Sequence, residues 1–132
     1  MSGRLVEAAW AARERAYAPY SGFAVGAAVE TSSGAIYTGC NVENAAYSLS
    51  ICAERVAIFK AVAAGEREIT ALAVVSEPGT TPCGACRQVL AEFAPCPQEV
   101  TIIAVNGQGD EQHYTLGQLL PVNFSGEELG LL

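Results

Sequence analysis

Charge is scarce in this sequence, and positive charge is scarcer still. Only 16% of the 132 residues are charged, and 14 acidic side chains stand against 7 basic ones, for a formal net charge of −7. That balance disfavours a nucleic-acid partner, whose backbone is bound through lysine and arginine. A small ligand is the better expectation. Hydrophobic residues make up 51% of the chain, yet no uncharged apolar run is long enough to span a bilayer. No signal-peptide apolar region follows Met1-Ser2-Gly3-Arg4, so the expected home is the cytoplasm, with no membrane role. Repeats, low-complexity tracts and linkers are also missing. The length suits one domain, residues 1–132, with a single core. Such a core cannot hide all the apolar surface, and the excess is expected to face other subunits. The five cysteines are odd in number and lack the spacing of a small disulfide scaffold. In a reducing compartment such residues serve as metal ligands or buried apolar fillers.

Read along the chain, Leu5, Ala9, Ala12 and Ala16 recur at helical spacing and predict a helix over 3–16. Pro19 ends it, and Tyr20-Ser21-Gly22 forms a turn. Phe23 to Thr31 and Ala35 to Cys40 read as two strands joined by Ser32-Ser33-Gly34. Asn41 to Ser50 has no period and reads as a long loop of the kind that carries function. Cys52 to Ala64 is a helix apolar nearly all round, hence buried on most sides by sheet and neighbouring subunit. Ile69 to Val75 is a strand covered on both faces. Thr81-Pro82 reads as an N-cap followed by a first-turn proline. Cys83, Cys86, Val89, Leu90 and Phe93 then form the next helix's inward face. Val100 to Val105 and Gln112 to Thr115 are further strands, with one helical turn over 116–120. The order predicts an α/β fold in three layers, a mixed five-stranded sheet with helices on both faces.

Two stretches organise the rest. One is Cys52-Ala53-Glu54; the other is the Cys-x-x-Cys pair Cys83 and Cys86. Three thiolates from two places in the chain hold one zinc and leave its fourth position open, which marks a catalytic site. An acid that is not a ligand, Glu54, can move protons to and from a water there. Both motifs fall at helix N-termini, whose partial positive charge offsets the thiolates. Arg55 adds a full positive charge beside them. Burial beside an anionic cluster would raise the pKa of Glu54, and N–H donors would lower it.

Taken together, these residues resemble the small zinc-dependent cytidine deaminases that form homotetramers. The resemblance covers nearly the whole chain. It runs through Ala18-Pro19-Tyr20-Ser21, Phe23 to Ala28, Gly39 to Tyr47, Cys52 to Arg55, Pro82 to Gln88 and Leu119-Leu120-Pro121. It implies hydrolysis of cytidine and deoxycytidine to uridine and deoxyuridine with release of ammonia, in pyrimidine salvage. Cys52, Cys83 and Cys86 match the zinc ligands, one ion per chain, and Glu54 matches the proton shuttle. Phe23, Asn41 and Glu43 match residues that hold the nucleoside, Asn41 and Glu43 on the 3′-hydroxyl side of the ribose. Ala45, Tyr47 and Ala53 belong to the same substrate-binding set. Arg55, with Gln88 near it, matches the residue that partly neutralises the thiolates. Phe124 resembles the aromatic that enters a neighbouring subunit's site.

Several plainer readings stand beside these. Cys83 and Cys86 alone would fit a structural zinc ribbon or a redox pair. Cys40 reads either as a small buried residue at a strand end or as a fourth ligand that would close the site. Cys96 lies in a proline-flanked loop. Phe23 could be plain core, Glu43 a solvated loop acid and Arg55 a surface charge. His113 reads as strand surface and Trp10 as helix packing. The alternative functions are deamination of another aminated heterocycle, such as blasticidin S, and a zinc-stabilised module without chemistry.

Overall fold

The computed structural model describes residues 2–132. Helix α1 spans Ser2–Arg13, β1 Gly26–Thr31, β2 Ile36–Cys40, α2 Ala53–Ala63, β3 Ile69–Val75, α3 Gly84–Glu92, β4 Thr101–Val105, β5 Glu111–Thr115 and α4 Leu116–Leu119. The strands form one sheet in the order β2-β1-β3-β4-β5. Strands β1 and β2 pair as an antiparallel hairpin, β1 and β3 are antiparallel, β3 and β4 parallel, β4 and β5 antiparallel. Alternation of side chains sorts the sheet into two faces. Ala27, Val29, Leu72, Val74, Ile102 and Ala104 pack with Ala57, Ile58 and Leu90 of the α2/α3 layer. Ala28, Ala73, Val75, Ile103 and Val105 pack with Leu5 and Ala9 of α1. The result is the expected three-layer α/β architecture. Among the described residues no helix is long and apolar enough to cross a membrane.

The topology decides where chemistry can sit. Strands β2 and β3 both run antiparallel to β1 and so point the same way. Helix α2 follows β2, and α3 follows β3. Their N-termini therefore emerge at one end of the sheet, beyond the carboxyl ends of parallel strands, where open α/β sheets place ligands.

Several boundaries differ from the sequence reading, each for a local reason. Helix α1 stops at Arg13 rather than near residue 16, and the chain turns so that Tyr17 bridges Val42. Strand β1 begins at Gly26, not Phe23. The backbone of 23–25 is held instead by the Asn41 side chain, which accepts from the Val25 N–H at 2.9 Å and donates to the Phe23 carbonyl at 2.7 Å. Helix α3 begins at Gly84 with Cys83 as its N-cap, not with Thr81 and Pro82. Its buried residues are Cys86, Leu90 and Ala91; Cys83 is exposed, and Val89 and Phe93 are half-buried. Helix α2 buries Ala53, Glu54, Ala57, Ile58 and Ala61, while Phe59 on its far side is exposed. The Asn41–Ser50 loop holds a short 3₁₀ turn, Tyr47–Leu49. Trp10 is half-buried beside the α1 core with Arg13 over its ring, and His113 is exposed, as expected.

Helix α2 lies close on β2 because position 39 has no side chain. A Cβ at Gly39 would sit 2.5 Å from both the Ala53 carbonyl oxygen and the Ala57 nitrogen. Both are helix backbone, so the whole N-terminal half of α2 would have to move. Gly39→Ala is expected to lower stability by about 1–3 kcal/mol, the usual cost of overpacking a tight core. Urea unfolding checks this; a midpoint equal to that of the unsubstituted protein would show that α2 can retreat freely.

Candidate active site

Three sulfurs meet where the two helices begin. Cys52 is the N-cap residue of α2 and Cys83 that of α3, both in extended backbone, and Cys86 lies in the first turn of α3. Neither N-cap side chain bonds its own helix backbone, so both sulfurs are free to turn towards each other. Cys52 Sγ lies 3.9 Å from Cys83 Sγ, and Cys83 Sγ lies 3.5 Å from Cys86 Sγ. All three fall within 4.8 Å of one another. Tetrahedral zinc with bonds of about 2.3 Å requires sulfurs about 3.8 Å apart, so this donor set fits the ion. Cys40 is half-buried at the end of β2 and Cys96 is exposed; neither joins the cluster, and all five cysteines are free thiols.

The charges around the sulfurs are arranged to tolerate anions. Arg55 Nη2 donates to Cys52 Sγ at 3.4 Å. The buried Nε of Arg55 has no hydrogen-bond partner among the described residues. Hydrogen bonding from the Cys86 thiol, then from Arg55, pulls the Cys52 thiol down to about 5 despite burial. The same bond and burial push the Cys86 thiol up. Glu54, one residue into α2, is only 5% exposed. Burial pushes its carboxyl up to about 7, helped by the Cys52 charge; its own backbone N–H and Arg55 pull the other way.

A cleft of about 380 Å³ opens over the cluster, within the range of small-ligand sites. Phe23, Asn41, Glu43, Tyr47, Ala53 and Glu54 line it, together with Cys52 and Cys83. Ala45 lies outside this lining. So does Phe124, which stands beyond α3 with its backbone held by Gln88: the Gln88 side chain donates to its carbonyl at 2.7 Å and accepts from its N–H at 3.2 Å. Glu43 is fixed from the Tyr20-Ser21 turn. Its carboxylate accepts the N–H groups of Tyr20 and Ser21, both at 3.0 Å, and the Ser21 hydroxyl. Those bonds, the Ser21 hydroxyl's above all, hold the carboxyl below its ordinary value.

The sequence reading missed Ser21, Val25, Ser50, Ile51, Thr80 and Thr81 as lining residues. Thr80 and Thr81 reach the cleft because buried Ser76 accepts the N–H groups of Gly79 and Thr80, closing a turn. Ser76-Glu77-Pro78-Gly79 carries that turn's chemistry and could have signalled it.

Residues 2–104, more than half the chain, match the model of the cytidine and deoxycytidylate deaminase zinc-binding region. The chain belongs to the cytidine and deoxycytidylate deaminase family. It is 51% identical over 128 residues to the cytidine deaminase of Sporosarcina psychrophila, covering 96% of this chain and 93% of that one. The cytidine deaminase of Halalkalibacterium halodurans is 47% identical over 127 residues, 95% of each chain. The crystal structure of cytidine deaminase from Burkholderia pseudomallei superposes with a TM-score of 0.88 at 51% identity, covering 94% of this chain and 99% of that one. Family membership and the sulfur geometry agree on zinc as the cofactor.

Two outcomes follow from the site. Cys52→Ala is expected to lose zinc while Cys40→Ser keeps one ion per chain, by elemental analysis of purified protein; the reverse result would move the site to Cys40. Because the Glu43 carboxyl is depressed, the stability it lends is present above the ordinary carboxylate range and fades as pH falls through the lowered value. Ser21→Ala should raise its titration midpoint in carbon-detected NMR, and an unmoved midpoint would deny the hydroxyl its part.

Proposed function

We propose that this protein, acting as a single catalytic domain, hydrolyses cytidine and deoxycytidine to uridine and deoxyuridine, releasing ammonia. The observation that carries the reading is Glu54: a buried carboxyl, not needed as a ligand, lining the same cleft as Cys52 and Cys83, two of the three clustered sulfurs. A structural zinc module has no use for it. Zinc held by Cys52, Cys83 and Cys86 would supply an acidified water, its acidity tempered by three thiolates.

Deamination adds water oxygen to C4 of the base, protonates N3 and expels the amine as ammonia. Glu54 takes a proton from the attacking water and delivers it to N3, then takes the second proton from the new C4 hydroxyl and passes it to the leaving nitrogen as the carbonyl forms. It must act as base and then as acid, so a carboxyl raised to about 7 has both forms populated near neutral pH. Arg55 and the two helix N-termini moderate the charge on the sulfurs. Asn41 and Glu43 lie in the cleft with polar capacity to spare, and the reading gives them the ribose hydroxyls. An anionic Glu43 would repel a 5′-phosphate, and the pair argues against a substrate without a sugar. Phe23, Tyr47 and Ala53 wall the nucleoside. Ala45, which the resemblance adds to the substrate-binding set, is not among the residues that line the cleft.

The reading extends to a cytoplasmic homotetramer that serves nucleoside salvage. Five free thiols suit a reducing compartment. The exposed Phe59, Leu49 and Tyr47 suit burial against other subunits. Phe124 is held by Gln88 away from its own cleft, which suits entry into a neighbour's.

Ammonia release across cytidine, deoxycytidine, cytidine monophosphate and cytosine tests the function. The nucleosides should have the highest kcat/KM; preference for the phosphate would contradict it. Glu54→Ala should keep zinc and fold while turnover falls by about 10²–10⁴-fold or more; near-normal turnover would remove Glu54 from the mechanism. Refolded together, Glu54→Ala and Phe124→Ala chains should regain activity beyond their separate sum. Mixed oligomers without that gain would mean that Phe124 does not act between chains.

A further inference from the structure

Arg87 follows the ligand Cys86 directly, yet its side chain points back along the chain rather than at the sulfurs. Nε donates to the Pro82 carbonyl at 2.7 Å, and Nη2 to the Thr81 hydroxyl at 3.0 Å. Nη1 donates to the Leu119 carbonyl at 2.8 Å. Three of the five N–H donors of the guanidinium are therefore spent on three separate acceptors. Two of these acceptors belong to the residues that lead into Cys83, and the third is the last residue of α4.

We propose that Arg87 is a positioning residue for the zinc ligand Cys83, fixing the Thr81-Pro82 peptide that aims its sulfur and tying that peptide to α4. Cys83 needs such help more than its partners. It is the exposed ligand, whereas Cys86 is buried within the first turn of α3 and Cys52 has Arg55 against it. As the N-cap it joins the helical ladder only through its carbonyl, which accepts the Arg87 N–H at 3.0 Å, so the approach of its backbone is set by the residues before it. Pro82 has no N–H, which leaves its carbonyl as that residue's only backbone handle, and Arg87 holds it. Thr81 also lines the cleft, so the same contact fixes one wall of the substrate space. A lysine here cannot reproduce the fork, because its ammonium is a compact point donor without the planar spread that reaches three acceptors.

The inference rests on the zinc reading above, and the test separates the two. Zinc-loaded wild type, Arg87→Ala, Arg87→Lys and Thr81→Val are mixed with a chromogenic chelator and zinc release is timed. Thermal unfolding of each zinc-free form is measured in parallel. Arg87→Ala should release zinc about 10–100-fold faster, the range for groups that orient metal ligands. Arg87→Lys should resemble it, and Thr81→Val should be milder. Added guanidinium at non-denaturing concentration should slow release from Arg87→Ala and not from wild type. Wild-type release rates in Arg87→Ala would overturn the inference. So would faster release matched by an equal loss of zinc-free stability and no guanidinium rescue, since that marks a merely structural arginine. If Arg87→Ala does not fold, Thr81→Val decides by the same rates: faster release supports the inference and an unchanged rate overturns it. Wild type that holds no zinc would remove the zinc reading itself and this inference with it.

Discussion

Three sulfurs within 4.8 Å of one another repel once they ionise, and the architecture of this end of the molecule answers that repulsion. A zinc ion supplies most of the compensation when bound. The fold supplies the rest, by starting two helices at the same edge of the sheet so that cysteines cap both. Each N-terminus carries roughly half a positive charge, and Arg55 adds a whole one at 3.4 Å from Cys52. Remove the parallel relation of β2 and β3 and the helices would no longer start together; no choice of side chains could then gather the sulfurs.

The same constraint explains the close packing behind the site. Helix α2 must lie near β2 for Cys52 to meet Cys83, and bare Gly39 permits it. Ala53, Ala57 and Ala61 are fully buried along α2, small residues that let the helix settle on the sheet. Glu54 is then carried into the cleft by the rigid start of a helix. Its high proton affinity follows from burial first and from the Cys52 charge second. One placement thus sets both the Cys52 sulfur and the Glu54 carboxyl in the cleft.

Much of this was legible in the sequence, where local pattern and tertiary role coincide. Strand β3 was read to both ends because it is buried on both faces and its apolar run has no competitor. The clustering of Cys52, Cys83 and Cys86 is legible because metal chemistry restricts residue type and spacing. The misreadings fall where a distant side chain takes over a local signal. Thr81-Pro82 has the form of an N-cap and first-turn proline, but the Thr81 hydroxyl is taken by Arg87, and Cys83 caps the helix. Phe23 to Val25 has strand composition, but Asn41 holds its backbone in place of a neighbouring strand. Thr80 and Thr81 escaped notice as cleft residues because their place depends on Ser76, buried under the loop. The resemblance sets Gln88 near Arg55; the hydrogen bonds of its side chain are with the Phe124 backbone.

On this reading three sulfurs hold the zinc and leave one position for chemistry. X-ray absorption at the zinc edge, on protein carrying one zinc per chain and no substrate, tests it most directly. The account predicts three sulfur neighbours at about 2.3 Å and a single lighter atom at about 2.0–2.2 Å. Four sulfur neighbours would mean a closed structural site and would contradict it.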